Sequence, residues 1–286
     1  MTGENSAAAQ NRNRWAAPAV MVVSGVSLYA GAAIAVGLFE VFPPVVVAWF
    51  RMAAAAVILV VFNRPRLRDF IGETGFRAAV YGIVTMGMNM TFYEAIARLP
   101  MGTAVAIEFL GPIVVAAFGS RSVRDWGALI LAAAGVLVIS GASWATSADG
   151  ILFALLAGAL WAGYIVAGSR IAGDAATSRT SIATGFAWAA VVGLPLILWL
   201  WPTTVDMSAM QVVGLAAGLG LLSAAIPYSL DQVVLRMAGS AYFALLQAIL
   251  PLVAAVIGAF ALGQWLSWAE LAGIVFVVAA VALRRP

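Results

Sequence analysis

The chain has no cysteine and no histidine, and none of its 15 basic side chains is a lysine. Without cysteine there is no disulfide framework and no thiol nucleophile. With histidine also missing, the usual zinc and haem sites lose their ligands, and Ser-His or Cys-His catalysis loses its base. No cofactor and no metal are expected. Charge of either sign is scarce too: 9% of the 286 residues, against about 25% in an ordinary soluble domain. That is too little to coat a surface facing water, so lipid is the expected solvent. A nucleic-acid partner needs a basic face set among polar residues. Here the arginines stand singly between apolar runs, and no such partner is expected.

What is there is 64% hydrophobic. Ten apolar segments lie near 17–39, 44–62, 76–97, 101–119, 124–143, 150–169, 179–201, 210–235, 240–262 and 267–283. Each is close to the ~20 residues that a membrane-crossing helix needs. The apolar run after Arg12 and Arg14 is too long for a secretory signal, so it reads as a retained first span. Positive side chains favour the cytoplasmic side. With the N-terminus inside, Arg98 is the single arginine facing out, Arg51 falls within a span, and the others face in. Both termini are therefore expected in the cytoplasm. Trp15, Trp126, Trp144, Trp199, Trp201, Trp265 and Trp268 sit near span ends, where tryptophan belts form.

The two halves echo one another. "LYAG" at 28–31 returns as "LWAG" at 160–163, and "EFLGP" at 108–112 as "QAILP" at 247–251. Five spans is an odd number, so a second copy must lie upside down relative to the first. The expected fold is an all-α integral membrane protein of ten transmembrane helices, built as two inverted five-helix repeats. Residues 1–16 form a cytoplasmic tail, 17–143 the first repeat and 150–283 the second. Inverted repeats are a transporter signature, with the substrate site between the halves near the bilayer midplane.

Proline has no N–H and cannot donate to the carbonyl four residues back. Pro112 thus frees the carbonyl of Glu108, and Pro251 that of Gln247. Such carbonyls are expected either to be satisfied by neighbouring helices or to border a polar cavity. Glu108 and Arg51 each lie about seven residues, roughly 10 Å, from the outer end of their spans. A lone charge at mid-membrane costs about 2.5–3.5 kcal/mol or more. Two readings follow: a buried Glu108–Arg51 pair that fixes helix packing, or a direct substrate or proton role for Glu108. Tyr81, Thr85, Asn89 and Tyr93 recur every four residues on one face of the third span. Ser223, Pro227 and Asp231, with Tyr228 beside them, do so on the eighth. Ala154, Gly158 and Ala162 form a small-residue ridge of the kind used for close helix packing. The candidate substrate-binding residues are Tyr81, Asn89, Glu108, Trp161, Tyr164, Tyr228 and Gln247, in a cavity lined by spans 1–4 and 6–9. Spans 5 and 10 are expected at the periphery.

The arginine in the second span, the five-span halves and the prolines of spans four and nine resemble the drug/metabolite transporter superfamily, in its EamA-type branch. "AVAIEFLGPIVVAAFGSR" at 104–121 is similar to the matching stretch of threonine/homoserine exporters; aromatic-amino-acid exporters are similar in architecture. The resemblance covers about 17–283. It implies a bacterial inner-membrane carrier that exports amino acids, coupled to an ion gradient for which protons are the candidate. The branch commonly ends its ninth span with Gly-Glu, whereas this chain has Gly263-Gln264. Rival readings are a multidrug or other small-metabolite exporter of the same fold, a lipid-modifying membrane enzyme, and a channel. The enzyme would need a cluster of catalytic polar groups at one interface, and the sequence has none.

Overall fold

The computed structural model describes residues 2–119, 123–171, 175–227, 230, 233–234 and 246–283. Among them there is helix and turn but no strand. In chain order the helices are α1 (Thr2–Gly37), α2 (Pro44–Asn63), α3 (Gly72–Ile96), α4 (Met101–Glu108), α5 (Leu110–Gly119), α6 (Val123–Ile171), α7 (Ala175–Trp199), α8 (Ala209–Gly220), α9 (Leu250–Leu262) and α10 (Trp268–Leu283). Four stretches are long and apolar enough to cross a membrane: Ala16–Glu40, Pro44–Asn63, Ser147–Gly168 and Thr180–Trp199. α3, at 25 residues, has the length. Its polar stripe keeps it from being apolar enough.

Local sequence sets several helix ends. Pro44 opens α2, where a missing N–H costs nothing. Ser208 caps α8 and Ser267 caps α10, each reciprocated three residues later, by Gln211 and Glu270. α9 stops at Gly263, whose φ of +67° suits glycine. α6 holds the fifth and sixth spans as two helices that meet at a sharp kink, Ser147, whose φ of −157° and ψ of 62° are not helical. The fourth span is broken too, into α4 and α5 at Phe109.

Glycines bring the helices together at backbone distance. A Cβ on Gly82 (α3) would stand 1.8 Å from the Gly185 carbonyl oxygen of α7. One on Gly220 (α8) would stand 2.6 Å from Ala54 Cβ of α2. One on Gly111 (α5) would stand 2.0 Å from the Gly158 oxygen and 3.3 Å from Ala162 N, so the small-residue ridge is a helix crossing. One on Gly25 (α1) would stand 2.9 Å from Leu250 of α9, and one on Gly102 (α4) 2.8 Å from Ala255 of α9. The arm of α6 before Ser147 crosses α10 where Gly135 meets the Gly273 oxygen, at 2.8 Å from the would-be Cβ. Hydrophobic side chains such as Val57, Phe62, Val191, Leu198 and Phe260 point outward, as a lipid-facing surface requires. Trp199, Trp265 and Trp268 are exposed near helix ends.

Candidate functional site

Pro112 breaks the fourth span where its missing N–H predicts. Phe109 N–H still reaches Val105 and Ile113 N–H reaches Phe109, at 3.1 and 3.4 Å, but the Glu108 carbonyl has lost its helical donor. That carbonyl turns toward α6, where it would lie 2.9 Å from a Cβ on Gly158. Only glycine leaves room for it. The Glu108 side chain is 7% exposed. Before Pro251 the chain makes a tight 3-10 turn, Gln247–Ile249, rather than a continuous helix. Gln247 is half-buried there.

Arg51 does not pair with Glu108 in this conformation. Among the described residues no ion pair within 4.0 Å joins them. The buried guanidinium instead donates through Nη1 to Asn89 Oδ1 at 2.6 Å and through Nη2 to the Ser223 carbonyl at 2.5 Å. The reason is the same chemistry that breaks the fourth span. Pro227 lacks the N–H that would close a helical bond to Ser223, so that carbonyl is free. The chain here forms a wide π-turn, Leu221–Ala225, and a second carbonyl of it, that of Leu222, accepts from Ser27 Oγ at 2.7 Å. Neutral acceptors from α3 and the π-turn thus take the arginine before the carboxylate can. α2, α3 and the eighth span are tied at one buried cation.

The polar stripe of α3 is largely bonded to its own backbone. Thr85 Oγ1 donates to the Tyr81 carbonyl, and Asn89 Nδ2 to the Thr85 carbonyl, at 2.7 and 2.8 Å. This leaves Asn89 Oδ1 to face Arg51. Tyr93, one turn further, lies against the guanidinium, with its ring centroid 6.0 Å from the guanidinium carbon. The remaining expected residues fall into two aromatic groups. Tyr81 packs on Tyr164 (5.1 Å between centroids) and stacks on Phe186 of α7 (6.3 Å). Trp161 meets Phe109 edge-on at 4.9 Å, beside the helix break. Tyr228 lies outside the described residues. The Ser223 carbonyl and Tyr93 are absent from the candidates that the sequence suggests. Ser223 was legible, because the rule applied to Pro112 and Pro251 applies equally to Pro227.

Gln264 sits at the mouth of the fourth span. Its side-chain oxygen accepts from Met101 N–H at 2.9 Å, capping α4 from another helix end. Glu270 accepts from Thr103 Oγ1, in the same first turn of α4, at 3.1 Å. The Gly263-Gln264 pair therefore needs an acceptor oxygen at this position, which the amide supplies without a charge.

Residues 148–284 match the model of the EamA-like transporter family. The threonine/homoserine exporter RhtA of Escherichia coli (strain K12) is 32% identical over 93% of this chain and 90% of its own length. That of Salmonella typhimurium (strain LT2) is 31% identical over the same shares. A protein of known crystal structure, 17% identical, superposes with a TM-score of 0.62 over 93% of this chain and 96% of its own, a likeness of fold alone.

Proposed function

The chain belongs to the EamA-like transporter family, and from that premise we propose that it exports neutral amino acids, threonine and homoserine first among them, by alternating access. It is a multi-pass protein of the bacterial inner membrane. The observation that carries the substrate reading is the 32% identity to a threonine/homoserine exporter across 93% of the chain. The buried Arg51 node, shared by helices from both halves, supports a substrate site between them. Broad specificity, including aromatic amino acids, is part of the proposal, because Tyr81, Tyr164 and Phe186 form an aromatic group in which Tyr81 stacks on Phe186.

Two inverted repeats, 17–143 and 150–283, are the proposed architecture. The helix crossings support it, because they come in pairs related by exchanging the halves. The third span on the seventh (Gly82–Gly185) is matched by the eighth on the second (Gly220–Ala54). The fourth on the sixth (Gly111–Gly158) is matched by the ninth on the first (Gly25–Leu250). The fourth–ninth and fifth–tenth crossings map onto themselves. The family match at 148–284 supports the same division.

Counterflow in proteoliposomes tests the activity. Labelled threonine should accumulate when unlabelled amino acid is loaded inside, and a pH gradient should drive net transport if protons couple. Trans-stimulation separates a carrier from a channel, and drugs in the panel separate an amino-acid carrier from a multidrug one. Absence of counterflow with every amino acid would sink the proposal. For orientation, a natural absence helps: there is no cysteine to remove. Cysteine placed at the exposed position of Asp206 should react with an impermeant maleimide from outside intact cells, and cysteine at Arg66 should not. The reverse pattern would overturn the placement of both termini in the cytoplasm.

A further inference from the structure

Two buried side-chain polar atoms among the described residues have no hydrogen-bond partner: Arg51 Nε and the Tyr93 hydroxyl. They belong to side chains that touch one another, with the guanidinium carbon 6.0 Å from the Tyr93 ring centroid. Such orphans are rare in a folded interior and call for a reason. Glu108 completes a set. Its carboxylate is 7% exposed and makes neither a hydrogen bond nor an ion pair with any described residue. Arg51 and Glu108 each lie seven residues into their helices, α2 and α4, and by alternation the second and fourth spans enter from the same side, so the two residues lie at equal depth by count. One cation and one anion are thus buried close enough for their charges to act on one another, yet with no ion pair within 4.0 Å between them.

Resting on the amino-acid reading above, we propose that Arg51 Nε, the Tyr93 hydroxyl and the Glu108 carboxylate together hold the zwitterionic head of the substrate. The carboxylate of an α-amino acid accepts from Arg51 Nε–H and Tyr93 O–H. Its ammonium donates to Glu108. Each orphan gains the partner it lacks, and the buried charges are neutralised in alternation: guanidinium, carboxylate, ammonium, carboxylate. The set also selects. A simple organic cation would satisfy Glu108 but leave the two donors empty and a buried excess positive charge. A simple anion would face Glu108. Discrimination of this kind is strong, because the wrong ligand leaves buried polar groups unpaired. Asn89 and the Ser223 carbonyl are positioning groups: they hold the guanidinium so that Nε remains free. Both donor atoms are enclosed in this conformation, and Phe39 stands against the Tyr93 ring at 5.8 Å. A head group reaches them when the helices around α3 part, as alternating access requires.

Tyr93→Phe isolates the claim, because it removes only an oxygen that has no partner. In the purified, ligand-free protein the Tm should be unchanged or raised. The KM for threonine in counterflow should rise about tenfold to a hundredfold, the loss of one hydrogen bond to a charged group. Competition by analogues assigns the ends. Wild-type counterflow should be inhibited by threonine but not by threoninamide, which lacks the carboxylate, nor by N-acetylthreonine, which lacks the ammonium. Glu108→Gln should narrow the gap between threonine and N-acetylthreonine, and Arg51→Met that between threonine and threoninamide. A lowered Tm with unchanged KM in Tyr93→Phe makes the hydroxyl structural and overturns the assignment. So does a wild-type pattern of analogue inhibition in Glu108→Gln. Wild-type protein that moves no amino acid overturns the exporter reading and this inference with it. Wild-type transport with an unaffected Tyr93→Phe overturns this inference alone.

Discussion

Gly82→Val is expected to yield little or no folded protein in the membrane. The added Cβ would stand 1.8 Å from the Gly185 oxygen and 2.3 Å from its carbonyl carbon, both backbone atoms on the facing helix. No rotamer change can relieve a contact with backbone, so α3 and α7 must move apart. Overpacking ordinarily costs about 1–3 kcal/mol, where side chains can yield; here the cost should lie at or above the top of that range. Separation would also break the Tyr81–Phe186 stack that bridges this crossing. Gly214→Ala is the control. A Cβ there meets nothing within 4 Å, and alanine is the better helix former by about 1 kcal/mol. Fluorescence-detected size-exclusion of tagged variants reads both. A monodisperse Gly82→Val with wild-type Tm would show that the two helices do not cross at this point.

Arg51→Met should fold yet lose about 100-fold in transport. Two energies oppose one another in the fold. Removing the guanidinium leaves the Asn89 oxygen and the Ser223 carbonyl without their donor, at about 1–3 kcal/mol each. It also abolishes a buried charge, whose desolvation penalty is several kcal/mol. Near-cancellation is the expectation for stability. Transport has no such compensation, because the head-group partner is gone, and one charge-assisted hydrogen bond of up to about 3 kcal/mol corresponds to roughly 100-fold. Arg51→Lys should fail nearly as badly. A lysine keeps the charge but lacks the planar fork that reaches Asn89 and Ser223 while presenting a further N–H. Initial rates of threonine counterflow, normalised to folded protein, measure this. Wild-type rates in Arg51→Met would reduce the arginine to a packing element.

Several features were readable from residues alone because their causes are local. A chain with 9% charge and long apolar runs has only lipid as a plausible solvent. A proline deletes one hydrogen bond at a known distance, four residues back, whatever surrounds it. So the break in the fourth span at Phe109 and the tight turn before Pro251 follow from Pro112 and Pro251. Capping by Ser208 and Ser267 is equally local. The depth of Arg51 and Glu108 could be counted from span ends.

The partner of Arg51 could not be read this way. Its acceptors lie 38 and 172 residues away in the chain, and equal depth does not decide which neighbour lies within reach. That depends on how closely and at what angle the helices cross. Those crossings are set where Gly82, Gly111, Gly158 and Gly220 let backbones touch. The sequence by itself put a cation and an anion each seven residues into a helix, and determined where the backbone must break beside them. Only the tertiary structure decided that the cation gives its hydrogen bonds to Asn89 and the freed Ser223 carbonyl rather than to Glu108. A proline's missing N–H acts within a single turn of helix, whereas a guanidinium chooses among whatever acceptors the packed helices bring to it.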